Sequence, residues 1–146
     1  MNGEVQHNTD DISVRPITVP DLSVMVGWWE YWRKGEDVPI EALSTSGVVV
    51  EINGSPAAMG FLYYTNSNRC FSDYCIVDPS LGKKDRNRAI DILMDALIGL
   101  SSSKGFAIME IVVREYDKKL FERCKEKGFI ELGNVSYMGR LLCRVS

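Results

Sequence analysis

Histidine is almost absent: the chain has one, His7, in a polar stretch ahead of the first apolar segment. Without an imidazole in the folded part, Cys-His and Ser-His-Asp hydrolases are not expected. The four cysteines, Cys70, Cys75, Cys124 and Cys143, contain no CxxC pair, so neither a zinc site nor any other metal is expected, and reduced thiols serving as small buried hydrophobes are. Long hydrophobic runs are missing too, none approaching the ~20 residues that cross a bilayer, so no membrane association is expected. Positive charge is in deficit, 17 Lys and Arg against 20 Asp and Glu. General nucleic-acid binding normally shows a broad basic face and is not expected from this balance. Residues 1–11 lack the basic, apolar and small-residue order of a signal peptide and read as a disordered polar tail, so a cytoplasmic location is expected. There is no internal repeat.

What is present fits one domain over 12–146. A chain of 146 residues buries roughly 68–70% of its unfolded surface, enough for a core without staples. Ile12 to Ile17 alternates as a strand. Pro20-Asp21 then starts an amphipathic helix with Leu22, Met25, Val26, Trp29 and Trp32 at three- and four-residue steps, ending near Lys34-Gly35. Trp29 and Trp32 read as core; Trp28 and Tyr31 lie off the stripe and suit the wall of a substrate groove. Val48–Ile52, Asn53-Gly54 and Ala57–Tyr64 make a hairpin with the turn residues that its twist requires. Further strands are expected over Cys70–Val77 and Phe106–Val113, the latter continuous enough for a central strand buried on both faces. Helices are expected from about Asn87 to Leu100, with Ala89, Leu93 and Leu97 on one line, and from Lys118 to Lys127 behind an Asp117 cap. Phe129–Leu132 and Tyr137–Leu142 read as a closing strand pair, with Cys143 at its end.

Between the strand at Cys75-Ile76-Val77 and the helix at Ala89 lies Asp78-Pro79-Ser80-Leu81-Gly82-Lys83-Lys84-Asp85-Arg86-Asn87-Arg88, with four cations in six residues. Unpaired N–H groups at a helix start favour anions, and adjacent Lys and Arg add to this, so the stretch suits phosphate; a solvated basic turn is the alternative. The order β-α-β-β-β-α-β-α-β-β, with this turn after the fourth strand, resembles the GNAT superfamily of acyl-CoA-dependent N-acyltransferases over about Ile12 to Leu142. The basic turn stands where that family has its pyrophosphate loop, Gln/Arg-x-x-Gly-x-Gly/Ala: Lys84 takes the first position, Asn87 that of the first Gly, and Ala89 the last small residue. Asp117 to Phe129 is similar to the family segment Asn-x-x-Ala-x-x-Leu-Tyr-Glu-Lys-x-Gly-Phe, with Cys124 where the family often has a tyrosine.

The resemblance implies an α+β, three-layer fold whose mixed, mostly antiparallel sheet has six to seven strands. It implies acetyl-CoA as co-substrate, held by Lys83, Lys84, Arg86, Asn87, Arg88 and Ala89 at the phosphates, by Ile76 and Val77 through backbone pairing with the pantetheine arm, and by Asp117. Asp73 is the first candidate base, because strand alternation sets it with Cys75 and Val77 on one face; Glu110 is second. The acid that protonates the departing thiolate is open among Cys124, Tyr116, Tyr137 and water. Trp28 and Tyr31 are the acceptor-side candidates. The implied reaction moves an acetyl group to an amine on a small molecule or a protein, in a monomer or homodimer. The alternative is a GNAT-fold protein without catalysis that serves as a structural or binding component.

Overall fold

The computed structural model of the chain describes residues 10–38, 40–140 and 142. Five strands form one sheet in chain order: β1 (Ile12–Pro16), β2 (Gly47–Ile52), β3 (Ser55–Tyr64), β4 (Arg69–Val77) and β5 (Ile108–Ile111). The first four are antiparallel neighbours, and β5 lies parallel to β4 after a helical crossover. Helix α1 (Val19–Trp32) follows β1, α2 (Lys83–Ser103) forms the crossover and α3 (Lys118–Glu126) follows β5, with a short 3-10 turn at Ile40–Ala42. This is an α+β fold with a mixed, mostly antiparallel sheet flanked by helices, in the order expected through α3.

The hairpin forms as its sequence dictates. Asn53 and Gly54 both take positive φ, 52° and 80°, the handedness that matches the twist of the flanking strands. The side chains of β2 and β3 alternate between two faces. Val48, Val50, Ala58 and Leu62 meet Ala89, Leu93 and Leu97 of α2, while Val49, Met59 and Phe61 meet Met25 and Trp29 of α1. Helix α2 lies close to the sheet because Gly60 has no side chain: a Cβ there would stand 2.6 Å from Leu97 Cδ1. Trp32, expected in the core beside Trp29, is 37% exposed. The last turn of α1 reaches the end of β4 instead, where the indole N–H donates to Val77 O at 2.8 Å.

Two expectations are corrected at the C-terminal side. Residues 129–140 and 142 form no strand, so among the described residues the sheet has five strands rather than six to seven. Among the described residues β5 is consequently an edge rather than a central strand, with Ile108 54% exposed. Alternation makes a segment able to be a strand, but pairing requires an edge brought into register, and after Gly128, φ 91°, the described residues make no such pairing. Cys143 lies outside the described residues, as do residues 1–9 of the expected tail. Asp10 and Asp11 are fastened to the hairpin: Asp11 N–H donates to Asn53 Oδ1 at 2.9 Å, and Asn53 Nδ2 donates to Asp10 at 3.2 Å.

Candidate functional site

Strands β4 and β5 pair only as far as Ser72 and Ile111, the last bond running from Val112 N–H to Ser72 O at 3.0 Å. Beyond that point β4 continues to Val77 with β3 on one side and an opening on the other. The register between β3 and β4 advances two residues from Met59 to Phe61 but three from Ile76 back to Asp73, so β4 carries one extra residue there, and Tyr74 sits at φ 57°. The bulge breaks the alternation assumed for this strand. Cys75 and Val77 pack towards α2, whereas Asp73, opposite Phe61, lies on the α1 side. The bulge also decides which backbone groups face the opening. Asp78 N–H bonds Ala57 O, so Ile76 turns its backbone groups to β3 and the N–H and C=O of Cys75 and Val77 turn away from it. Ile76 is thus a core residue, 5% exposed, rather than a backbone partner for a ligand.

Asp73 is 2% exposed and lies under Arg114, whose Nη1 donates to Oδ1 at 2.9 Å. Tyr74 N–H donates to the same oxygen at 2.7 Å, while Oδ2 is buried with no protein partner among the described residues. The Arg114 guanidinium spreads over the rings of Trp29 and Tyr74, 4.7 and 5.2 Å from their centroids. Arg33, from the end of α1, covers Tyr116 at 4.5 Å and pairs with Asp117 at 3.0 Å. Tyr116 in turn donates to Glu36 at 2.7 Å. The open end of the sheet is therefore walled by aromatic rings and two guanidiniums, each matched with a carboxylate.

The basic turn is not a loop. Helix α2 begins at Lys83, four residues before the expected start, behind an extended Gly82 with φ −64° and ψ 160°. Nothing in Lys83 to Ala89 opposes helix, so the helix extends back to the glycine, which stops it. Asn87, which stands at the first-Gly position of the family's loop, and Ala89 are both helical. Gly82 has no side chain to cap the first turn, which leaves N–H groups of Lys83, Lys84 and Asp85 facing outward with the positive end of the helix. The four cations divide. Arg86 donates to Leu81 O and stacks on Trp32, and Arg88 pairs with Asp10 at 3.3 Å, while Lys83 and Lys84 are exposed. An open groove of about 330 Å3 runs from Lys83 and Asn87 along α3, past Lys118, Lys119, Glu122, Arg123 and Glu126. Arg123 fastens its two walls, donating to Asn87 O at 3.4 Å and to Asn87 Oδ1 at 3.3 Å.

The remaining candidates fall in different places. Cys124 is buried on α3, and burial pushes its thiol up to about 11, with Asp117 adding to the effect. Burial likewise pushes Cys75 up to about 12. Glu110 stands in the paired part of β5 and pairs with Arg69 at 3.2 Å, away from the opening. Asp117 caps α3 by accepting from Leu120 N–H at 3.2 Å, so its carboxylate is already held by the cap and by Arg33. Tyr137 is exposed, and its hydroxyl is among the groups that raise Tyr63 and Tyr74, after burial and Asp73. Trp28 is half-buried against the α1-side core, and Tyr31 is exposed against the edge of Trp32. Sequence reasoning missed Arg114, Arg33, Trp32 and the lysines of α3. No spacing signal could have found Arg33 or Arg114, because a guanidinium is placed by what it reaches across the fold.

A bulged fourth strand splaying from a parallel fifth, beside an uncapped crossover helix, defines a class: this is the fold of the GNAT acetyltransferases. Solved structures agree. The ribosomal-protein-S18-alanine N-acetyltransferase from Escherichia coli superposes with a TM-score of 0.69 at 16% identity, covering 84% of this chain and 80% of that one. An aminoglycoside N-acetyltransferase, AAC(6')-Iy in complex with CoA, gives 0.64 at 17% identity, covering 92% and 97%. A structure described as a transcriptional regulator from Bacillus halodurans gives 0.66 at 12% identity, covering 89% and 100%, so the fold is shared more widely than one printed activity. No family model matches the sequence, and no curated protein matches it.

Proposed function

We propose that the protein is an acyl-CoA-dependent N-acyltransferase that moves an acetyl group from acetyl-CoA to a primary amine. The observation that carries this reading is that β4 loses its β5 partner beyond Ser72 and Ile111 and leads into an uncapped start of α2, whose first residues line a lysine-bearing groove against α3. Free N–H groups, Lys83, Lys84, Lys118 and Lys119 offer a path for the phosphates of CoA. Val77 N–H, which faces the opening, offers a backbone partner for the pantetheine arm; the Val77 carbonyl is engaged by Trp32. The structure of AAC(6')-Iy with CoA is consistent with such a ligand on this fold.

In the proposed reaction the acceptor ammonium gives a proton to Asp73 Oδ2, the oxygen that Arg114 leaves unpaired. The freed amine attacks the thioester carbonyl carbon, the C–S bond breaks, and the thiolate takes a proton from water or from Tyr116 or Tyr137, a proton made good by the one that the new amide nitrogen sheds. Proximity of two bound reactants supplies most of the acceleration such chemistry needs, with effective molarities worth several kcal/mol. Cys124 is not the acid in this scheme, being buried in the core.

A second reading, a GNAT-fold binding component without turnover, is favoured by Tyr74 N–H. At the bulge it is bonded to Asp73 rather than free for a thioester oxygen. Thermal unfolding with and without acetyl-CoA tests both. At ~100 times its Kd a ligand stabilises by about 2.7 kcal/mol. No shift with millimolar acetyl-CoA overturns the enzyme reading; a shift without thiol release across a panel of small amines and peptide N-termini selects the second.

A further inference from the structure

One side chain lies across the open side of β4. Beyond Ser72 this strand has β3 on one side and, among the described residues, no strand on the other. Helix α1 packs on one face of the sheet through Met25 and Trp29, and α2 on the opposite face through Ala89, Leu93 and Leu97. Trp32, the last residue of α1, reaches from the first face to the second. Its indole N–H donates to Val77 O at 2.8 Å, and the guanidinium of Arg86, in the first turn of α2, lies 5.6 Å from its ring centroid. A ring rooted on α1 that meets a residue of α2 in this way stands in the opening itself. Val77 is also where β4 turns both its N–H and its C=O to that opening, the two groups that an extended ligand pairing with a strand uses. A carbonyl oxygen can accept twice, so the obstacle to such a ligand is the ring held there more than the lone pair in use. The ring is held only at its tip. Trp32 is partly exposed while Met25 and Trp29 are buried, and at Arg33 the backbone leaves the helix with φ −128° and ψ 57°. Rotation of the Trp32 side chain therefore clears the opening without disturbing the core.

We infer that Trp32 bars the acyl-CoA arm from β4: the indole stands on the Val77 carbonyl in the free protein and leaves it when an amide of the ligand takes its place. This role rests on the acetyl-CoA reading given above. The apparent affinity for acetyl-CoA is then reduced by the fraction of molecules in which the indole has left the carbonyl. A phenyl ring at the same position has no N–H to hold it there and relieves the penalty.

Nuclear magnetic resonance of the isotope-labelled full chain, with calorimetry of Trp32→Phe, tests it. A nuclear Overhauser effect is expected in the free protein from the Trp32 indole N–H to Asp78 Hα, which lies beside the Val77 oxygen across the peptide bond, and its loss is expected at saturating acetyl-CoA. Trp32→Phe is expected to bind acetyl-CoA ~2–10-fold tighter, the worth of one net hydrogen bond. An effect that persists in the complex, or that is absent from the free protein, overturns the inference, as does a folded Trp32→Phe that binds no tighter. If Trp32→Phe loses its far-UV circular dichroism, the resonance measurement on the unmodified chain decides alone. Binding by Trp32→Phe but not by the unmodified chain supports the bar and takes the activity from the unmodified chain; binding by neither overturns the acetyl-CoA reading and the bar with it.

Discussion

Arg114 Nη1 lies 2.9 Å from Asp73 Oδ1, with the arginine side chain 24% exposed and the aspartate 2%. A partly wet cation thus neutralises a dry anion at the mouth of the splayed strands. Removing the partner of a fully buried charge costs ~3–5 kcal/mol, and the exposure of Arg114 reduces this. Arg114→Gln is expected to lower unfolding stability by about 2–3 kcal/mol. Asp73→Asn/Arg114→Gln should be more stable than the sum of the two single changes implies. Urea denaturation of the four proteins checks this; strict additivity would mean that the pair is not coupled.

The same carboxylate carries the proposed proton transfer. Asp73→Asn is expected to reduce turnover ~10²–10⁴-fold, the range for loss of a general base. Its effect on the Kd for acetyl-CoA, measured by calorimetry, is expected to be small. Unchanged turnover removes Asp73 from the mechanism while leaving the fold and the cofactor groove untouched.

Lys83 and Lys119 face the groove from α2 and α3. Reversing both, Lys83→Glu with Lys119→Glu, is expected to weaken acetyl-CoA binding ~10-fold or more, equivalent to about 1.4 kcal/mol. The loss should be smaller in high salt, because exposed charges are screened. An unchanged Kd at low salt would place the phosphates elsewhere.

At the other end of α1, the guanidinium of Arg15 bonds both oxygens of Asp21 at 2.7 and 2.9 Å, and Thr18 donates from its N–H and hydroxyl at 2.8 and 2.9 Å. The Arg15 hydrogen bonds, opposed by burial and aided by Thr18, hold the Asp21 carboxyl down to about 2 from an ordinary 3.8. A depressed folded-state value stabilises the fold above the unfolded value. That contribution, about 2 kcal/mol, is fully present above about pH 4 and is lost as the pH falls towards 2. Denaturation of the unmodified chain and Asp21→Asn should therefore differ at pH 6 and converge near pH 2. A difference that does not change with pH would assign the effect to the cap's geometry instead of its charge.

Cys124→Ala is expected to keep turnover within about 2-fold while losing about 1 kcal/mol of stability, as for other small truncations in a core. The thiol is buried and pushed up to about 11, so it is a packing group. A ~100-fold fall in turnover at unchanged stability would instead make it the acid.

Much of the fold was legible because its signals are local. The four-residue spacing of Ala89, Leu93 and Leu97 marks a buried face that the structure confirms. Asn53-Gly54 is the turn it reads as, and Asp117 is the cap of α3. The site was legible only in part. The cations after β4 pointed to an anion site, yet Gly82 as the stop moved the helix start to Lys83 and made the loop a helical turn. Asp73 was singled out by an alternation that one bulged residue cancels, so it stands on the opposite face from Cys75 and Val77.

By itself, the sequence determined the order of strands and helices as far as α3, the parallel crossover and the place of the basic cluster, since periodicity, turn chemistry and capping act over a few residues. Tertiary structure alone decided what meets across the sheet: Arg114 over Trp29 on Asp73, Trp32 on the Val77 carbonyl, and Arg123 on Asn87. Those contacts join residues tens of positions apart, and no short-range pattern encodes a distance that only the folded chain creates.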